Sequence, residues 1–427
     1  MFAHSRVSGG MSVVGVMLAL MLPGVSAAHA SGTVTGAGTP SGLMAAAKQD
    51  APVPGMAVTI PPTRLLDTRT SSGDVGPGRS VTFQVAGVNG VPADATAVVL
   101  NLTVTGPASE SADISFGFVT AHAAGSAKPN ASNLNYAAGQ TISNLAVVPV
   151  GTGGKVTLSN TSGQGSVSLI ADIQGYYQGG EPASPGAFKS MAPARFLDTR
   201  TSAKVGPGQS VSFQAGGAGG VPADAKAVVM NLTVTEPSKF GFVTAYPAGS
   251  DKPNASNLNY AQDETVPNLA VVPVGADGKV TLTNSSTGSV QLIADISGYF
   301  LAGTAEDNGA FEALAPTRFL DTRLSSGPVA GNGTVSFQVA GVHGVPANVA
   351  GIWVNLTATE TGADGFLTGF ASGATKPATP NVSYGWTRTT APNLAYLPVG
   401  DDGKVTVENT SSGSAQVIAD VSGYVLK

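Results

Sequence analysis

The hexapeptide RLLDTR at Arg64 returns as RFLDTR at Arg195 and again at Arg318, in a chain where only 11% of residues are charged. Its aspartates stand 131 residues apart (67 to 198) and then 123 apart (198 to 321). Other landmarks follow in the same order in each copy. GVPA begins at Gly90, Gly220 and Gly344, and NLT at Asn101, Asn231 and Asn355. NLAVVPVG at Asn144 and Asn268 becomes NLAYLPVG at Asn393, and IAD-x-x-GY closes the copies from Ile170, Ile293 and Ile418. A period this long exceeds the roughly 20 to 50 residues of a solenoid repeat, so each copy is large enough to form a domain.

Each copy reads as a run of short strands. In AVVLNLTVT, Val98, Leu100, Leu102 and Val104 alternate with Asn101 and Thr103, the period-two signature of a strand. Asp277-Gly278 and Asp402-Gly403 are hairpin-turn signals, and Gly153-Gly154 takes that place in the first copy. About eight strands in roughly 120 residues predict an all-β protein of three tandem homologous β-sandwich or jelly-roll-like domains, with a closed barrel as second choice. The expected boundaries are 57–178, 188–301 and 311–427. Small-residue linkers occupy 179–187 and 302–310, and a flexible linker occupies 31–56.

Residues 1–30 read as a signal peptide. Arg6 precedes the apolar run Met11 to Leu22, and Ala28-His29-Ala30 offers a small-residue cleavage site near Ala30. The expected location is therefore extracellular. No later segment is apolar enough for a membrane anchor. A net charge of −5 gives no electrostatic footprint for nucleic acid. With no cysteine, an exported chain must stand on its cores, and thiol catalysis and thiolate metal sites are excluded.

The repeated charges have two readings. Alternation along a strand puts Asp67 and Arg69 on one face and Arg64 on the other. The structural reading therefore pairs Arg69 with Asp172, Arg200 with Asp295 and Arg323 with Asp420, tying the first strand of each domain to the last. Asp198 and Asp321 repeat the place of Asp67. The rival reading makes Asp67 and Asp172 the two carboxylates of a glycoside hydrolase. Three equivalent active sites in one chain argue against it. The mature chain keeps two histidines, His122 and His343, and neither recurs at its position in the other copies. No catalytic residue, metal site or cofactor is expected.

Ligand contact is expected in the third copy, which holds both tryptophans. Trp353 lies on the strand face of Asn355, and Trp386 lies near Arg388 in a loop. An aromatic plane beside polar side chains suits a sugar ring. Taken together, the order R-x-LDTR, GVPA, NLTVT, SNLNY, NLAVVPVG, GKVTL, IAD-x-x-GY resembles tandem modules of secreted proteins from high-GC Gram-positive bacteria, over about 57–427. Such modules occur in series or appended to hydrolase domains. The resemblance implies an accessory, surface-associated role and carries no functional residue. The expectation is a non-catalytic binding or structural protein engaging cell wall or other polysaccharide by avidity. A protein partner in a secreted assembly, or a rigid spacer, is the alternative.

Overall fold

The computed structural model describes residues 52–105, 116–137, 139–162, 165–385 and 390–427. The signal-peptide reading and most of the expected 31–56 linker therefore fall outside the described residues. The first repeat contains β1 (Ala57–Asp67), β2 (Ser80–Gln84), β3 (Ala97–Thr105), β4 (Phe116–Ala123), β5 (Leu134–Ala137), β6 (Ile142–Pro149), β7 (Lys155–Ser162) and β8 (Ser168–Tyr177). The second contains β9 (Phe188–Asp198), β10 (Ser210–Gln214), β11 (Ala227–Thr235), β12 (Gly241–Pro247), β13 (Leu258–Tyr260), β14 (Val266–Pro273), β15 (Lys279–Ser286) and β16 (Gln291–Phe300). The third contains β17 (Phe311–Asp321), β18 (Thr334–Gln338), β19 (Val349–Thr359), β20 (Gly365–Ala371), β21 (Val382–Tyr384), β22 (Ala391–Pro398), β23 (Lys404–Ser411) and β24 (Gln416–Leu426).

Among the described residues all strand pairing is antiparallel, in six four-stranded sheets. The first repeat forms β1-β8-β3-β6 and β2-β7-β4-β5, and the other two repeat this order. Strands β6, β14 and β22, each an edge of its sheet, meet one another at the centre, and β5, β13 and β21 pack on β14, β22 and β6. The sheets thus run outward from a shared axis as the six blades of a propeller of small sheets. This overturns the expectation of three tandem sandwich, jelly-roll-like or barrel domains. Residues 51–427 gather into one compact unit.

The alternating pattern explains the miss. β3 buries nearly every residue on both faces. Leu100, Leu102 and Val104 belong to a core cluster that continues into residues of the second repeat. Ala97 and Val99 join an axial cluster with Leu145, Val147, Val229, Val271, Phe300, Phe311, Trp353 and Tyr396, drawn from all three repeats. Alternation reads one buried face, whereas this strand has two.

The expected linkers are likewise pinned. Phe188 N donates to Gly55 O, Phe311 N to Gly186 O, and Ala57 N to Gly309 O, at 2.8, 3.0 and 2.9 Å. These three bonds close a triangle between successive repeats. Gly55, Gly186 and Gly309 hold φ of +75°, +76° and +85°, and a Cβ on any of them would meet backbone oxygen within 3.0 Å. Only glycine fits there. Strings of small residues that look like flexible spacers are the tight corners of a closed ring.

An isolated second repeat (residues 184–301) exposes the apolar axial face of Val229, Leu269, Val271 and Phe300. It is expected to self-associate or to melt well below the full chain. A monomer in sedimentation equilibrium with an undiminished melting temperature would refute the shared-core account.

Candidate functional site

Asp67 is the hub of the hexapeptide. Its carboxylate accepts from Arg69 Nε and Nη2 at 2.9 and 2.6 Å, and from the Arg69 backbone N at 3.1 Å. Arg64 Nη1 reaches the same carboxylate at 3.2 Å, while its Nε and Nη2 grip Asp172 at 2.8 and 3.2 Å. Arg195 with Asp198 and Asp295, and Arg318 with Asp321 and Asp420, repeat this geometry. Arg200 and Arg323 pair with Asp198 and Asp321.

The expected pairing of Arg69, Arg200 and Arg323 with the closing aspartates is therefore corrected: the first arginine of each hexapeptide reaches across. A bulge is the reason. Arg64 faces Asp172 and Leu66 faces Ala171, so Leu65 is an extra residue and the strand turns over at that point. Phe196 and Phe319 are the matching extra residues. The threonine completes the motif, because the hydroxyls of Thr68, Thr199 and Thr322 accept from Leu169 N, Leu292 N and Val417 N. The first arginine and the threonine of each hexapeptide thus fasten the outermost strand of one sheet to its neighbour, while Asp67 and Arg69, with their counterparts, hold the first arginine and the turn in place. Asp67 and Asp172, the pair weighed as hydrolytic carboxylates, are bridged by one guanidinium.

Their environments push them apart. The Arg69 hydrogen bonds hold Asp67 below the usual carboxylate range, and Arg200 brings Asp198 down to about 2. Burial raises Asp172 and Asp295, against the opposing pull of Arg64 and Arg195.

The expected ligand residues lie elsewhere. Trp353 is 0% exposed, stacked on Tyr396 at 4.7 Å in the axial cluster. Asn355 accepts from Asn268 Nδ2 at 2.8 Å and donates to Ser256 O at 2.7 Å, both in the second repeat. Buried in the seam between repeats, neither offers a surface to a polymer. Trp386 and Arg388 lie outside the described residues.

Sequence reasoning missed the open face of β2-β7-β4-β5 and its two counterparts. Lys155, Thr157, Ser159 and Thr161 alternate onto this face, a strip of about 20 Å. Ser80 and Thr82 join Ser159 and Thr157 through hydroxyl pairs at 2.8 Å. Phe118 stands opposite Thr161, and Lys128 Nζ donates to Thr161 Oγ1 at 2.8 Å. In the second repeat Ser210 and Ser212 pair with Thr283 and Thr281, Phe242 stands opposite Ser285, and Lys252 lies 5.6 Å over the Phe242 ring. In the third, Ser336 pairs with Thr406, and Phe366, 41% exposed, stands opposite Thr410. The slot of His122, Tyr246 and Phe370 borders each strip, and burial lowers the His122 pKa. The available signal was the K-P dipeptide at Lys128, Lys252 and Lys376, present in every copy.

No protein-family model matches the chain, and no curated protein matches it significantly. Two solved structures resemble it at 11% identity. One, described as "The Triple Jelly Roll Fold and Turret Assembly in an Archaeal Virus", covers 86% of this chain and 90% of its own, with a TM-score of 0.19. The other, of Sulfolobus Turreted Icosahedral Virus, covers 87% and 91% with a TM-score of 0.20. Scores this low carry no argument about this chain. Among the described residues no group of three or more His, Cys, Asp or Glu side chains is placed to hold a metal ion.

Two outcomes test the charge cluster. Arg195→Met strands the buried Asp295 and is expected to destabilise by about 3 kcal/mol. Arg200→Met removes an exposed pair and costs under about 1 kcal/mol. Thermal melts of the full chain read both, and equal losses would sink the corrected pairing. The folded Asp198 pKa lies below its unfolded value, so its contribution is present above the unfolded pKa and lost as pH falls through the folded one. Asp198→Asn should therefore melt below wild type at about pH 5, with the gap closing toward about pH 2.

Proposed function

We propose that this chain is a non-catalytic extracellular binding protein that holds a polysaccharide on three equivalent sheet faces of one rigid body. The observation that carries the reading is the strip itself: a phenylalanine, a lysine and paired hydroxyls in the same register on three exposed sheets. An aromatic ring offers its face to the apolar face of a sugar, and the neighbouring hydroxyls and ammonium group hydrogen-bond to sugar hydroxyls. Thr157, Ser159, Thr281, Thr283 and Thr406 are buried and hold their exposed partners Thr82, Ser80, Ser212, Ser210 and Ser336, which are the hydroxyls open to a ligand.

Three weak sites on one body bind a repetitive polymer far more tightly than one site, because the second and third contacts form at high local concentration. A closed ring fixes the distances between the sites, which beads on flexible linkers would not do. The apolar run at Met11 to Leu22 supports export to where such polymers lie. The double Arg64 clamp on Asp67 and Asp172 supports the non-catalytic reading, since both carboxylates already hold a structural partner.

The test is sedimentation of residues 31–427 with purified cell walls and insoluble polysaccharides. Saturable pelleting is expected, and Phe118→Ala, Phe242→Ala and Phe366→Ala together should weaken it roughly ten-fold or more. Pelleting that survives the triple variant, or no pelleting at all, would overturn the reading.

A further inference from the structure

The three strips share their hydroxyls and differ in charge. Each begins at a lysine on the first residue of its central strand, Lys155, Lys279 or Lys404, and ends at the K-P lysine, Lys128, Lys252 or Lys376. In the first repeat Lys128 Nζ donates to the Thr161 hydroxyl, and Lys155 is exposed at the other end. In the second, Lys252 is held by Ser285, Asp251 adjoins it in the chain, and Lys279 lies 3.7 Å from Asp277. In the third, Glu408 replaces the hydroxyl of Ser159 and Thr283 in the middle of the row, and its carboxylate pairs with Lys376 at 2.6 Å. The second strip thus has Asp251 and Asp277 beside its two ends, and the third has Glu408 within its row.

Resting on the polysaccharide reading above, we propose that the ligand is an acidic polysaccharide carrying carboxylates along its chain, and that the first repeat is its principal site. Two lysines at the two ends of a strand segment of about 20 Å, with neutral hydroxyls between them, complement an extended chain of spaced negative charges. A lysine bound to a hydroxyl gives up little when it turns to a carboxylate. Lys376 would have to leave Glu408, and the bound polymer would meet that negative side chain. The third strip is therefore the weak site, and Glu408 is what weakens it.

The experiment is affinity electrophoresis and titration calorimetry of residues 31–427 with polygalacturonate and with its fully methyl-esterified form. Polygalacturonate is expected to bind, more weakly as salt rises, and the ester several-fold less well. Lys128→Ala with Lys155→Ala should weaken polygalacturonate binding by about three- to ten-fold, and Lys376→Ala clearly less, by under about two-fold. Glu408→Ser should strengthen it. These are surface changes, and an unaltered melting temperature shows that each variant is folded. Equal binding of ester and acid, or equal losses from Lys376→Ala and the Lys128 and Lys155 pair, would overturn this proposal while leaving the polysaccharide reading intact. Absence of binding to either polymer by a chain that still pellets with cell walls would also overturn it. Absence of both would remove the two readings together.

Discussion

Bringing the edge strands β6, β14 and β22 together at one axis buries backbone and side-chain polar groups that must find partners there. A ring of asparagines meets that demand. Asn144 Nδ2 donates to Asn231 Oδ1 at 2.9 Å, Asn268 to Asn355 at 2.8 Å, and Asn393 to Asn101 at 2.9 Å. Each bond joins one repeat to the next, and the last returns to the first. The oxygens of the same three donors take Leu269 N, Leu394 N and Leu145 N. A chain of three identical units closes only if its last unit can satisfy its first, and here the partners agree at all three seams.

The axis also explains why the third repeat diverges. Trp353 and Tyr396 stand where the other repeats have Val99, Val147, Val229 and Val271, while Tyr177 and Phe300 are matched by Val425. Three copies of one residue at an axis fill space with a symmetry that close packing does not need. One large stacked pair with smaller neighbours fills it as well. Trp353, which the sequence offers as a sugar platform, is part of the filling of an asymmetric core.

Function then falls to what the closed body leaves outside. The hexapeptide charges hold edge strands, the asparagines hold seams, and the glycine corners hold the connections between repeats. The outer strips are repeated polar features that stand apart from these tasks. Their hydroxyl pairs bridge neighbouring strands, while each phenylalanine and K-P lysine stands at the open end of its strip.

How far the sequence could be read depended on the range of each interaction. The all-β class followed from alternation and turn residues, which act over a few positions. The repeated Asn89, Gly219 and His343 turn is of this kind, with φ of +50°, +56° and +50°. The arginines and aspartates were identifiable because charge in a lightly charged chain stands out. Their pairing was not, since a single extra residue at Leu65 reverses the face on which Arg64 lies. The placement of Trp353 and Asn355 was hidden for a larger reason. Alternation tells which residues share a face of a strand, but not whether a second face is covered. By itself the sequence determined strand content, threefold repetition and the residues that carry charge. Only the tertiary structure decided that the repeats close on an axis, because that closure is made by contacts between positions up to 292 residues apart, such as Asn393 and Asn101.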